Sequence, residues 1–539
     1  MTDLPQRRAE GLAVLASSAA LSLGAVLWSW QHHALLNYGD AVAHLHIARR
    51  VFDSNNPGFR QLGSVWLPLP HILLMPFVAV YSWWANGIAG VIPSALAYVA
   101  CCTGIYRLMR QWVSPLAAIA ALTFFALNPN LLYLQTTAMT EPLFLCELIW
   151  TIVWLVEWRR CLDAGDNNSS RLLWQIAFVL VAAVYTRYDG WVLALLAWTG
   201  IGIVLLRKGQ LRSRAFWFAS VVIVAAPMIW LIYNAAVFGD WLDFARGPYS
   251  AKAIELRTMT PGSGPPHPGW HNPWVSLLFF GRTAEIDASA ELWGGRFLTL
   301  CILGSLIGCV VAWRKAFLWA LLLWLPIPFY AYSVAYGSVP IFIPKWWPHS
   351  WYNTRYGMEM LPAFAVGLAF VASFVLVAVH DFKPQWKPWA AGLLIALAVW
   401  NNWKVTAEKP LTYIEGTKNI DARRPLEEQI PPLLRSLLGV RPGGLVLMKT
   451  SVYPNLVAFT GIPLRQTINE GDGPLFTAAL AEPATHAAIV VGFDGDDVDQ
   501  AVKQHPGGLT QVGRFVVEGQ PPATVYVSDT GSPAKAPHQ

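Results

Sequence analysis

Charge is the scarcest property of this chain. Of its 539 residues only 13% are Asp, Glu, Lys or Arg, while 55% are hydrophobic and the mean hydropathy is +0.41. Soluble domains carry about 25% charged residues, so a water-soluble protein throughout is excluded, and the length leaves room for a membrane domain plus a soluble one. Cysteine is sparse as well. The six cysteines, at 101, 102, 146, 161, 301 and 309, fall in apolar segments or in a basic connection, which excludes a structural disulfide framework and a thiolate metal site. There is no P-loop, no dinucleotide glycine fingerprint, no zinc-ligand spacing and no internal repeat. The missing repeat counts against transporters built from repeated halves.

Apolar runs separated by small basic clusters take the place of these features. A crossing needs roughly 20 apolar residues, and such runs lie near 11–30, 88–106, 115–130, 140–157, 172–187, 190–206, 215–236, 297–313, 316–336, 358–379 and 388–403, about eleven in all. The net charge of +6 sits in alternate connections: Arg7 and Arg8, Arg107 and Arg110, Arg159 and Arg160 with Arg171, Arg207 to Arg214, Arg314 and Lys315, and Lys383 with Lys387. By the positive-inside rule these face the cytoplasm, so the basicity expresses topology and not a nucleic-acid surface. The N-terminus is then cytoplasmic, the first run is an uncleaved anchor, and the expected location is the plasma (inner) membrane. The stretch 67–84, broken by Pro68, Pro70 and Pro76, fits as an interfacial or re-entrant piece.

The expected architecture is therefore an α-helical polytopic membrane domain, 1–405, with long outer loops 31–66 and 237–296. A small extracytoplasmic α/β domain, 406–530, and a disordered tail, 531–539, follow it. In the α/β portion, 443–448, 486–491 and 524–527 read as strands, and 426–438 and 498–505 as helices. Residues 42–51 read as a short amphipathic helix at the interface.

Ionisable groups at helix ends on the outer side are the candidates for chemistry, because leaving them in hydrocarbon is costly. Asp40 follows the first crossing, Glu141 opens the fourth in Thr140-Glu141-Pro142, Arg187 and Asp189 join the fifth and sixth, and Arg355 with Tyr356 precedes the tenth. A carboxylate can accept the proton of an attacking hydroxyl, and guanidiniums grip a phosphate leaving group by bidentate charge-assisted bonds. Arg246 and Lys252 offer further phosphate contacts, and His44, Asp189, Tyr249 and Tyr356 further substrate contacts. Each has a structural alternative: Asp40 as a solvated turn residue, Glu141 as a helix-dipole partner, Arg187 and Asp189 as a local ion pair, Arg355 as a snorkelling side chain. His44 and His46, two apart on a helix, do not share a face and form no metal pair. Asp40 and Glu141 leave a divalent cation open, and no metal ligand set is assigned.

Taken in order, these motifs resemble the GT-C superfamily of membrane glycosyltransferases, and in particular bacterial relatives of the protein O-mannosyltransferase and aminoarabinose transferase families. The carriers are Tyr38-Gly39-Asp40, Thr140-Glu141-Pro142-Leu143, Thr186-Arg187-Tyr188-Asp189-Gly190, Ala245-Arg246-Gly247-Pro248-Tyr249-Ser250 and Asn353-Thr354-Arg355-Tyr356, spread over residues 11–405. The resemblance implies a polyprenyl-phosphate sugar donor, an outer-face acceptor hydroxyl, inversion at the anomeric carbon and Asp40 as base. Two departures stand out. Asp40 is followed by Ala41, not by a second acid, so the acidic partner would be Glu141; and Trp346-Trp347 is followed by Pro348, which lacks the acid of the oligosaccharyltransferase motif.

The reading is an inverting hexosyl- or pentosyltransferase acting on a glycan, lipid or protein acceptor, in contact with membrane lipids and not with nucleic acid. Its rivals are a lipid-linked sugar transporter or flippase and a non-catalytic membrane scaffold.

Overall fold

A computed structural model describes residues 3–259, 264–451 and 453–529. The expected tail 531–539 lies outside the described residues. The chain is a multi-pass α-helical membrane protein with a small C-terminal α/β portion, and it divides into two compact units.

The first unit comprises 1–32, 64–70 and 91–415. Among the described residues, eight helices are long and apolar enough to cross a membrane: Gln6–Gln31, Ile88–Met109, Ser169–Thr186, Asp189–Arg207, Arg214–Phe238, Gly295–Ala312, Phe317–Tyr336 and Thr354–Phe382. Three further expected crossings fall on Pro115–Ala126, Glu141–Ala164 and Lys387–Ala407. The first of these has only 12 residues, and the second carries two buried glutamates.

Local chemistry sets the helix ends. Ser114 and Asn128 cap the helices Pro115–Ala126 and Pro129–Leu134 by accepting from backbone N–H groups of the first turn, and proline occupies the first helical position in both. Gly295–Ala312 packs against Leu361–Phe382 through two glycines. A Cβ on Gly304 would lie 2.0 Å from the Gly367 carbonyl oxygen, so small residues are required where these backbones meet. Some of the basic residues used to assign topology are tied to acids: Arg107 donates twice to Glu157 (2.6 and 2.8 Å) and Arg110 pairs with Glu10 at 2.9 Å.

Two connecting stretches hold helices of their own. The connection 237–296, expected as a loop, contains a 16-residue helix, Pro273–Ala288, with Phe279, Phe280, Ala284 and Ala288 buried. Pro at its first position and the Asn272 cap start it. The 67–84 stretch, expected as an interfacial or re-entrant piece and not as a crossing, consists of two short helices, Pro68–Val78 and Tyr81–Asn86, each below the length of a crossing.

The second unit comprises 33–63, 71–90 and 416–539, so part of the connection after the first helix folds with the C-terminal residues. Its sheet has strands β1 Val446–Met448, β2 Thr467–Ile468, β3 Ile489–Phe493, β4 Leu509–Phe515 and β5 Ala523–Ser528, in the order β2-β1-β3-β5-β4. β2, β1 and β3 are parallel, while β5 pairs antiparallel with both β3 and β4. Leu447, Ile468, Phe476, Val490 and Val498 form the core between sheet and helices. The helix Gly39–Arg50 belongs here too. Eight of its residues are buried, which corrects the expectation of a helix lying on the membrane interface.

Candidate functional site

In the first unit, five segments bring acids and guanidiniums together. Glu141 is the first residue of Glu141–Ala164, where the helix dipole favours a carboxylate and Pro142 is pre-set for the first turn. Arg187 takes extended backbone angles (φ −149°, ψ 155°) immediately after Ser169–Thr186, and Asp189 opens Asp189–Arg207, its carboxylate accepting from the Gly190 amide at 3.0 Å. Arg355, Tyr356 and Glu359 lie on the 3-10 turn Thr354–Met360. Tyr330 comes from Pro326–Tyr336, and Glu415 from Leu411–Asp421.

Their contacts form one network. The Arg187 guanidinium donates to Asp189 Oδ2 (3.3 Å), Thr140 Oγ1 (3.1 Å), Glu141 Oε1 (3.3 Å) and the Tyr330 hydroxyl (2.7 Å), and it lies 3.2 Å from Glu359 Oε1. Tyr330 in turn donates to Glu359 Oε1 at 2.7 Å. Arg355 donates to the same Glu141 Oε1 at 2.9 Å and to Glu415 Oε1 at 2.9 Å. Glu415 also accepts from the Asn353 and Thr354 amides, both at 2.9 Å. The Tyr356 ring lies beneath both guanidiniums, 5.1 Å from Arg187 and 5.0 Å from Arg355, and stacks on Tyr330 with ring centres 4.9 Å apart. Removing one partner of a buried pair costs about 3–5 kcal/mol, so this network holds four helix ends in register.

The network is only partly satisfied. Glu141 receives both arginines on one oxygen, while its Oε2 has no hydrogen-bond partner and the residue is 1% exposed. Glu359 Oε2 and, farther along the Glu141 helix, Glu147 Oε2 are also buried without a partner. Glu147 accepts from Thr186 Oγ1 at 2.7 Å through its other oxygen. Buried polar atoms are nearly always paired, so these free oxygens mark positions that a ligand, water or proton can complete.

Asp287, near the end of Pro273–Ala288, lies close by with both carboxyl oxygens unpartnered and no exposure. Burial first, and the charge of Glu415 second, push it well above the usual carboxylate range. A Cβ on Gly357 would stand 2.5 Å from its Oδ2. The backbone carbonyl of Asp287 accepts from the Asn128 and Asn130 side chains, at 2.8 and 3.0 Å.

Arg187 and Arg355, expected from sequence to face a phosphate, thus already engage carboxylates. Arg187 keeps 14% of its side-chain surface exposed and Arg355 7%. Arg246 and Lys252 lie on the connection 237–296, more exposed, paired with Asp240 and Glu255. Tyr249 is exposed on the same connection. Glu359, Glu415, Glu147, Tyr330 and Asp287 were missed. For Glu147 a signal existed, a carboxylate inside an apolar crossing; Glu415 was assigned to the soluble portion and so kept out of the site.

In the second unit, Asp40 occupies the first turn of Gly39–Arg50 and is half-buried. The helix start is held by Asn419, which accepts from the Gly39 amide at 2.9 Å, and by Arg423, which donates to the Asn37 carbonyl at 3.0 Å. Farther along, Arg49 bonds Asp53 (2.7 Å) and the Val78 carbonyl (2.7 Å) and lies over the Trp84 ring. Asp53 accepts from the Leu464 and Arg465 amides. His44 and His46 face different neighbours, as their spacing requires: His44 meets His71, and His46 packs on Trp84. Burial, with Arg50 and Arg49 adding to it, pushes His46 down to about 3, so it is neutral. Among the described residues no group of three or more His, Cys, Asp or Glu is arranged to hold a metal ion.

No family model matches the sequence, and no curated protein matches it. Solved structures do. ArnT from Cupriavidus metallidurans bound to undecaprenyl phosphate is similar with a TM-score of 0.50 and 14% identity, over 94% of this chain and 97% of that one. The same protein in the apo state gives a TM-score of 0.50 and 14% identity over 96% and 99%. The archaeal oligosaccharyltransferase AglB from Archaeoglobus fulgidus, in complex with an inhibitory peptide and a dolichol-phosphate, has a TM-score of 0.46 and 11% identity over 97% and 75%. The chain, with its apolar helices and small C-terminal α/β portion, therefore has the fold of the GT-C membrane glycosyltransferases.

Proposed function

We propose that this protein is an inverting glycosyltransferase that moves one sugar, a hexose or a pentose, from a polyprenyl-phosphate carrier to an acceptor hydroxyl on the outer face of the plasma membrane. The observation that carries the reading is the buried network around Glu141, a half-satisfied cluster of acids and guanidiniums at helix ends of a GT-C fold. Support comes also from ArnT, similar along nearly the whole chain and bound to undecaprenyl phosphate.

In this reading residues 1–405 carry the chemistry and 406–530 the extracytoplasmic support. Asp40 takes the acceptor proton, and the hydroxyl oxygen attacks the anomeric carbon from the side opposite the phosphate, which departs as an anion and needs no acid. Glu141 orients the acceptor through its open oxygen. Arg187, the more exposed of the two inner guanidiniums, exchanges carboxylate contacts for phosphate oxygens when the donor binds, with Arg355 behind it. Arg246 and Lys252 draw the headgroup in from the outer connection, where Tyr249 is also placed to meet it. Asp189 and Tyr356 keep Arg187 aligned, and His44 borders the base. Glycan, lipid and protein acceptors all remain in scope, and a divalent cation is a condition to vary in the assay.

The test is product mass spectrometry with purified protein and a panel of undecaprenyl-phosphate sugars, with and without Mg²⁺ or Mn²⁺. One sugar should be transferred with inverted anomeric configuration. Asp40→Asn should cut kcat by about 10²–10⁴-fold with little change in donor KM. Near-normal transfer by that variant removes Asp40 as the base; movement of an intact lipid-linked sugar across vesicles without transfer favours a flippase.

A further inference from the structure

In the turn Thr186-Arg187-Tyr188-Asp189-Gly190, Arg187 and Asp189 belong to the acid network, while Tyr188 makes contacts of its own. Its hydroxyl donates to the Val65 carbonyl at 2.9 Å, and its ring stacks on Phe244 with centres 5.1 Å apart and 18° between the planes. The Trp230 indole N–H approaches the same hydroxyl and stops short of a hydrogen bond. Trp230 comes from Arg214–Phe238, whose buried residues Phe216, Ala219, Ile223, Ala226, Trp230 and Asn234 fall three or four apart on one stripe. That helix packs along Ser169–Thr186. Trp230 is 2% exposed and Asn234 0%. The Asn234 side-chain N–H donates to the Trp230 carbonyl at 2.9 Å, which fixes the end of the amide that carries oxygen. Oδ1 is left without a partner among the described residues, as is Trp230 Nε1. An asparagine that serves helix packing bonds across to a neighbour; this one bonds only its own helix, and its buried acceptor stays unused at a cost.

We propose that Trp230 and Asn234, together with the Tyr188 ring, bind the sugar of the lipid-linked donor and set which sugar is accepted. This rests on the reading of the protein as a polyprenyl-phosphate sugar transferase with Arg187 on the phosphate. Phosphate and anomeric carbon share one oxygen, so the residue that follows the phosphate grip in the chain is placed to meet the sugar. An open N–H donor and an open acceptor one helical turn apart match hydroxyl groups, which accept and donate at once. The aromatic face beside them matches the apolar face of a sugar ring. Phe244, on the short helix Asp243–Arg246, is the ring that gives way: the sugar takes its place on Tyr188 and pairs the two buried atoms. A sugar without a hydroxyl at that position would leave both atoms unpaired and is disfavoured.

The experiment titrates the full-length protein in detergent with undecaprenyl phosphate and with each undecaprenyl-phosphate sugar of the panel, for the parent, Asn234→Leu, Trp230→Phe and Phe244→Ala. The parent should bind at least one lipid-linked sugar more tightly than undecaprenyl phosphate. Asn234→Leu and Trp230→Phe should each weaken that sugar about tenfold or more and leave undecaprenyl phosphate within about twofold, and in turnover donor KM should rise more than kcat falls. Leucine matches asparagine in size and removes an unpaired buried oxygen, so the melting temperature of Asn234→Leu should hold or rise. Should that variant unfold, Trp230→Phe, which keeps an aromatic ring in the stripe, decides alone. Phe244→Ala should bind the lipid-linked sugar more tightly, and weaker binding overturns Phe244 as the ring displaced. A folded Asn234→Leu or Trp230→Phe that loses both lipids alike, or neither, overturns the subsite, as does a parent that binds no panel sugar better than undecaprenyl phosphate. Loss confined to the lipid-linked sugar, in a parent that transfers nothing, supports the subsite and removes the transferase reading.

Discussion

At the scale of single residues, the informative feature is the uneven use of Glu141. One oxygen takes two arginines and the other takes nothing. Glu141→Gln keeps an acceptor for Arg355 and removes the charge that balances it, so kcat should fall about 10- to 100-fold. The same variant should unfold at a lower temperature than the parent. A purely structural Glu141 predicts the second change without the first, and steady-state kinetics beside a melting curve separates the two. Glu141, Arg187, Asp189, Arg355 and Tyr356 were legible as candidates because charge at the end of an apolar run is costly and therefore conspicuous. Their partners were not: Tyr330 is one aromatic among many in an apolar helix, and Glu415 has ordinary polar neighbours in sequence.

At the scale of elements, the 3-10 turn Thr354–Met360 is where packing leaves least room. A Cβ on Gly357 would meet Asp287 Oδ2 at 2.5 Å and the backbone of Thr283 and Ala284 at 2.7 Å. Gly357→Ala should destabilise by about 1–3 kcal/mol and loosen Arg355 from Glu141 and Glu415. Thermal unfolding of the detergent-solubilised protein checks the first effect, and transfer rate the second.

The helix Asp497–Gln504 carries a pH dependence. Its cap, Asp496, accepts from the Asp499 amide at 2.7 Å, and burial raises its pKa to about 6 despite that bond and Lys449. The folded form therefore holds a proton that the unfolded chain has already lost at about pH 4. This contribution is fully present below that pH and is lost as pH rises to about 6. Amide hydrogen exchange in Asp497–Gln504 should accelerate over that window, beyond the intrinsic rise with pH. In Asp496→Asn, which keeps the cap, that extra acceleration should vanish.

Some strands were read from the sequence and others were not. β1 and β3 are apolar runs buried along their length, and β5 carries Val525 and Val527 in a strand buried except at Tyr526. β2 has two residues, too few for any pattern, and β4 is an edge strand with a largely exposed Leu-Thr-Gln-Val-Gly-Arg-Phe sequence whose polar and apolar residues do not alternate cleanly.

At the scale of the whole molecule, the sequence assigns the outer loop to the membrane domain and the tail to an accessory domain. The structure places 33–63 and 71–90 in one unit with 416–539. Asn55 donates to the Thr467 carbonyl (2.6 Å), Gln61 to the Gly471 carbonyl (3.0 Å) and Tyr81 to the Ala458 carbonyl (3.2 Å). Ending the chain after Glu415 removes these acceptors together with Asn419 and Arg423, which hold the start of the Asp40 helix. Such a truncation should abolish transfer even where the membrane helices still insert, and limited proteolysis should cut first within 33–63. Retained transfer would make the tail accessory.

Composition and charge spacing by themselves determined that this chain lives in a membrane, near which ends its helices turn, and that an α/β portion follows, because the cost of polar groups in hydrocarbon is paid locally, residue by residue. Only the tertiary structure decided which acid meets which arginine, that Asp287 and Glu147 are buried, and that His44 finds His71. Those pairings join segments tens to hundreds of residues apart, and a hydrogen bond over 3 Å depends on how whole helices pack, which no local pattern encodes.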